Sequence, residues 1–158
     1  MKVKQITQRE HTAIALNLER YASKLFADMW KVHGPMVFSD EFDTAALELE
    51  NGQFRVNANP KFWKRCSEQR RVFIICHEFL HLIFGHWAMC NGFETEWLNI
   101  AQDIQVNEYI RKNYPGMADG FSDDSDASIS SVFKDKASLV EPDRDYKYYY
   151  DLLMQCLK

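Results

Sequence analysis

Val72-Phe73-Ile74-Ile75-Cys76-His77-Glu78-Phe79-Leu80-His81-Leu82-Ile83-Phe84-Gly85-His86 is the most informative segment of this chain. Its apolar run predicts a buried helix, yet it carries His-Glu-x-x-His. At about 100° per residue, His77 and His81 share one helical face, about 40° apart. Two imidazoles so placed can hold one Zn²⁺, and Glu78 falls where it can reach a water on that ion. An exposed helix has no reason to be Val-Phe-Ile-Ile-Cys before the motif and Leu-Ile-Phe after it. The core is organised to place three polar groups.

A hydrolytic zinc site takes three protein ligands and leaves a fourth position for water. His86 is one candidate for the third. On an unbroken helix it points about 140° from His81, off the metal face, and only a break at Gly85 brings it back. It also suits a helix end, where a cation meets the dipole and the last carbonyls. Asp103 is the other candidate, in Trp97-Leu98-Asn99-Ile100-Ala101-Gln102-Asp103-Ile104-Gln105-Val106-Asn107. A carboxylate amid Leu98, Ala101 and Ile104 is costly unless paired or bound to metal. Asn107, one turn on, can orient a ligand histidine by hydrogen bonding. We favour Asp103 as third ligand, with His86 as the alternative; the bland reading of Asp103 is an exposed helix residue beside Gln102.

Working outward, residues 1–33 predict one N-terminal helix. Thr7 and Glu10 form its capping box, Ile14, Leu18, Tyr21, Ala22, Leu25 and Met29 its apolar face, and His33-Gly34-Pro35 its stop. His11 is expected to face solvent and His33 to end the helix. Met36-Val37-Phe38 suggests a brief strand. Asn51-Gly52 predicts a two-residue hairpin over residues 44–58. The register it implies puts Leu47, Leu49, Phe54 and Val56 on one face and pairs Glu48 with Arg55. Asn59-Pro60 opens a short helix. The metal helix spans 67–85, with Ser67 as cap and Gly85 as stop, and a second ligand helix spans 96–112, capped by Thr95. Residues 117–131 read as a solvated acidic loop able to lie over a site, and residues 146–157 as a closing helix. No linker divides the chain, so a single domain is expected.

Composition narrows the class. The chain has 158 residues, 46% hydrophobic and 27% charged, which suits a soluble globular fold. A formal charge of −4 argues against nucleic-acid and anionic-membrane partners. No apolar run reaches transmembrane length, and the N-terminus lacks a signal-type stretch. Cys66, Cys76, Cys90 and Cys156 form no Cys-x-x-Cys pair and read as thiols in a reducing compartment, so a cytoplasmic location is expected.

The helix with His-Glu-x-x-His, followed by an acidic residue on a second helix, resembles the thermolysin-like and aspzincin-like zincins. The chain more closely resembles the putative metallopeptidase domain that usually precedes a von Willebrand factor A-type domain. The likeness runs through Thr44-Ala45-Ala46, Phe54 to Asn59-Pro60-x-Phe62, His77-Glu78-x-Leu80-His81-x-x-x-Gly85-His86, Trp97-Leu98-Asn99-Ile100-Ala101-x-Asp103-x-x-Val106-Asn107 and Tyr150-Asp151-Leu152-Leu153. It covers roughly residues 44–153. No von Willebrand A-type domain follows in these residues, so a stand-alone domain is expected. The resemblance implies an α+β, zincin-like fold: a small antiparallel or mixed sheet whose edge hairpin packs on the metal helix, with further helices. In that superfamily the edge strand pairs with extended peptide. It further implies a zinc-dependent peptidase acting on peptide or protein substrates, with Glu78 as general base. The alternatives are a zincin-fold binding module without turnover and an accidental motif. Tyr109, Arg111, Tyr114 and Tyr148-Tyr149-Tyr150 are all candidate oxyanion donors, with packing the commoner use of such tyrosines.

Overall fold

The computed structural model describes residues 4–33, 35–88, 90–122 and 124–156, apart from the Glu50 side chain. Gly34 of the expected helix stop and Asp123 of the acidic segment lie outside them. The elements, in order, are β1 (Lys4–Gln5), α1 (Gln8–Tyr21), α2 (Lys24–Val32), β2 (Val37–Phe38), β3 (Ala45–Glu50), β4 (Gln53–Ala58), α3 (Pro60–Arg65), α4 (Glu68–Ile83), α5 (Thr95–Asn113), a 3₁₀ turn (Pro115–Gly120), α6 (Ile129–Phe133), a second 3₁₀ turn (Lys134–Leu139) and α7 (Tyr146–Cys156). This is a mixed α+β chain. Contacts group it into two compact units, Met1–Phe79 with Gly116–Gly120, and Leu80–Pro115 with Phe121–Lys158. The division falls inside α4, which is one continuous helix.

The first unit holds a four-stranded sheet in the order β1-β2-β4-β3. β2 and β4 run parallel, and the outer pairs are antiparallel. The hairpin has the register its sequence predicts, with Leu47 opposite Val56, Glu48 opposite Arg55 and Leu49 opposite Phe54. Asn51 and Gly52, at φ 50° and 77°, supply the two left-handed residues of the turn. Leu47 is buried, whereas Leu49, nearer the tip, is exposed.

Two helices replace the single N-terminal one expected. Ala22 departs from helical geometry (φ −126°, ψ −94°), and Ser23 restarts the chain as the cap of α2. The cause lies in phase. Ile14, Ala15 and Leu18 are the buried residues of α1, and Phe26, Ala27 and Trp30 those of α2. On one straight helix these two sets would lie about 120° apart around the axis. The break turns both inward and leaves Leu25 exposed. Trp30 is fully buried, with its indole N–H on the His11 carbonyl at 2.9 Å.

In the second unit α5 and α7 bury Leu98, Ala101, Ile104, Tyr149, Tyr150 and Leu153, with Phe133 of α6. The hydroxyls of the tyrosine run tie down loop backbone: Tyr148 accepts from Glu141 N–H, Tyr149 donates to the Glu141 carbonyl, and Tyr150 accepts from Glu94 N–H. The segment expected as a solvated loop is largely structured. Pro115–Gly120 forms its turn in the first unit. Ser128 is fully buried and caps α6 reciprocally with Ser131. Asn107 Nδ2 donates to the Ala127 carbonyl at 2.8 Å, and Glu108 accepts from Ile129 N–H at 2.8 Å. No helix among the described residues is long and apolar enough to cross a membrane.

Candidate metal centre

The middle of α4 places the site. Val72 to Cys76 are buried, as are Phe79 and Leu80, while His77, Glu78 and His81 are only half-buried. Apolar residues anchor the helix on both sides of the motif, leaving its polar face within reach of solvent. Ser67 caps the helix start, accepting from Arg70 N–H at 3.1 Å.

In the first unit, Glu78 Oε2 accepts from Leu47 N–H at 3.3 Å. Leu47 lies on β3, whose only sheet neighbour among the described residues is β4. Antiparallel pairs alternate between hydrogen-bonded and open, and Thr44 and Asn59 bond across the base of the hairpin. Leu47, three residues on, therefore turns its N–H away from β4, to the outer edge where Glu78 sits.

In the second unit, His81 Nε2 and Asp103 Oδ1 lie 3.0 Å apart. The two side chains are 13% and 39% exposed, so the pair is sheltered but open to water. His77 is one turn before His81 on the same helix. Potential ligand atoms of His77, His81 and Asp103 all lie within 4.8 Å of one another. Ligands at about 2.0–2.1 Å on a tetrahedral zinc stand about 3.3 Å apart, so the donor set fits after a modest side-chain closure. Two imidazoles and a carboxylate are a donor set that could hold a metal ion.

The end of α4 decides what His86 does. Gly85 takes φ 71°, its N–H reaches the Leu82 carbonyl at 3.1 Å, and His86 N–H reaches the His81 carbonyl at 3.0 Å. This glycine-terminated cap folds the chain back over the last turn. His86 is 3% exposed, and its Nδ1 lies 2.8 Å from His81 Nδ1, on the ring nitrogen opposite the Asp103 side. Its Nε2 meets Gln105 Oε1 at 2.6 Å, and its carbonyl accepts from Gln102 Nε2 at 3.2 Å. Gln102 is thus buried, and Gln105 touches a histidine beside the site; nothing in the sequence pattern marked either amide. Asn107 is buried with the Ala127 carbonyl as partner.

His11 and His33 belong to the first unit. His11 stacks on Trp30 at 4.8 Å between ring centroids, and His33 packs on Trp30 and on Phe79. Burial holds both imidazoles below the ordinary histidine range, His33 with further repulsion from His11 and Arg55. Burial likewise pushes the Cys76 thiol well above the ordinary cysteine range.

Residues 7–129 match a family described as "putative metallopeptidase domain". No curated protein and no solved structure matches the chain.

Proposed function

Since the chain belongs to the putative metallopeptidase domain family, we propose that it is a zinc-dependent peptidase with a zincin-like layout. His77, His81 and Asp103 hold the ion. The observation that carries this reading is that His77 and His81 of α4 and Asp103 of α5 bring potential ligand atoms within 4.8 Å of one another, with Glu78 next to His77 in the chain. A bound Zn²⁺ supplies a water of lowered pKa and polarises the scissile carbonyl. Glu78 holds the proton taken from that water and passes it to the leaving amine.

The bond from Leu47 N–H orients the Glu78 carboxylate and sets the base against the outer edge of β3. An extended peptide adding to that edge would lay its backbone alongside the base, bound mainly through main-chain hydrogen bonds. Substrate choice would then be broad, set by side-chain pockets rather than by the backbone. Four free thiols suit a reducing compartment such as the cytoplasm.

The test pairs wild type with Glu78→Gln on a quenched-fluorescence peptide library. Both should hold zinc, and the variant should lose about 10²- to 10⁴-fold in rate. Zinc-loaded wild type that cleaves no peptide or unfolded protein would instead make the chain a silent binding module.

A further inference from the structure

We propose that His86 and Gln105 are positioning residues that fix which nitrogen of His81 faces the metal; this rests on the metal-site reading above. The backbone N–H of Tyr146 can only donate. It donates to Gln105 Oε1 at 3.2 Å, which sets the orientation of that amide. The same oxygen lies 2.6 Å from His86 Nε2. An oxygen that accepts from Tyr146 requires a proton on His86 Nε2. In a neutral imidazole the other nitrogen then carries none, so His86 Nδ1 is an acceptor. It faces His81 Nδ1 at 2.8 Å, so that nitrogen must carry a proton. The metal-side nitrogen of His81 is therefore Nε2, the atom 3.0 Å from Asp103 Oδ1.

At 3% exposure the His86 ring nitrogens meet protein groups, so those groups set its orientation. Position is fixed as tightly as proton direction. The helix cap holds His86 N–H on the His81 carbonyl, and Gln102 holds the His86 carbonyl. A ligand histidine whose far nitrogen is bonded in this way has its ring orientation and basicity set by its neighbour. The polar chain from Tyr146 through Gln105 and His86 to His81 lies wholly within the second unit.

Two-bond proton–nitrogen spectra of ¹⁵N-histidine protein identify the protonated ring nitrogens directly. Zinc-free wild type should show His86 protonated at Nε2 alone and His81 protonated at Nδ1. His86 protonated at Nδ1, or at both nitrogens, overturns the proposal. Zinc affinity, read by chelator competition, should fall about 10- to 100-fold in His86→Leu and in Gln105→Met. His86→Asn, which places an amide oxygen near the former Nδ1, should recover most of that loss. Equal losses in His86→Asn and His86→Leu would make the role merely structural and overturn the proposal. If His86→Leu does not fold, the wild-type spectrum still decides. Failure of wild type to take up zinc would refute the metal site, while the zinc-free spectrum would still test the chain of bonds.

Discussion

Two glycines in the Pro115–Gly120 turn make opposite predictions from the same kind of measurement. A methyl group at Gly120 would stand 2.5 Å from the Gln69 carbonyl oxygen, 2.8 Å from its carbon and 3.1 Å from Arg70 N. All three are backbone atoms of the first turn of α4, so no side chain can swing aside. The turn must lift, straining the bonds from Arg70 Nη1 to the Gly120 carbonyl (2.9 Å) and from Gln69 Nε2 to the Gly116 carbonyl (3.3 Å). Overpacking of this kind costs about 1–3 kcal/mol, and losing much of a guanidinium bond adds about 1 kcal/mol or more. Gly120→Ala should therefore destabilise by about 3 kcal/mol. At about 2–4 °C per kcal/mol for a chain of this size, the midpoint falls by roughly 6–12 °C. Gly116→Ala is the control. Its added methyl meets nothing closer than 3.5 Å, and a smaller unfolded-state entropy offsets what strain remains. It should melt within about 2 °C of wild type. Circular dichroism melting of the zinc-free proteins reads both. A Gly120→Ala midpoint within 2 °C of wild type, or equal losses at the two glycines, would refute the close approach of this turn to α4.

Acid should weaken the first unit through His33 and His11. Their folded pKa values are lowered, so the unfolded chain binds protons first. Their stabilising contribution is complete above the ordinary histidine pKa and is lost as pH falls from there toward the folded values. Urea midpoints of zinc-free protein should drop between pH 7.5 and 5.5, and less steeply in His33→Asn; identical slopes would contradict this. Thiol labelling of the native protein should modify exposed Cys156 quickly and leave Cys76, which is 0% exposed, protected until unfolding. Rapid native labelling of Cys76 would mean that α4 is not packed as described.

The parts legible in the sequence are those where two local rules agree. Asn51-Gly52 sets a turn, the alternation of Leu47, Leu49, Phe54 and Val56 sets a face, and together they yield the register in full. Asn59-Pro60 and Gly85 likewise mark a helix start and stop through backbone chemistry alone. The N-terminal break escaped because Tyr21, Ala22 and Leu25 keep helical spacing across it. What ends α1 is the need to turn Phe26 and Trp30 into the core, a tertiary demand. The site shows the same division. His-Glu-x-x-His is local and visible, and Asp103 stands out as an acid among apolar neighbours. Gln102 and Gln105 do not, because an amide on a helix buried around most of its circumference has no pattern of its own. The cap at Gly85 was legible as a stop. That it folds His86 back onto His81 follows from a bond spanning the turn, which spacing alone does not display.

Metal content is the decisive property of the proposed centre. Stripped protein reloaded with zinc, desalted and measured by elemental analysis should hold one Zn²⁺ per chain in wild type. His81→Ala and Asp103→Ala should each lose it while keeping their helical circular dichroism. A wild-type chain without stoichiometric zinc, or an Asp103→Ala chain that binds zinc as tightly as wild type, would contradict the metal centre.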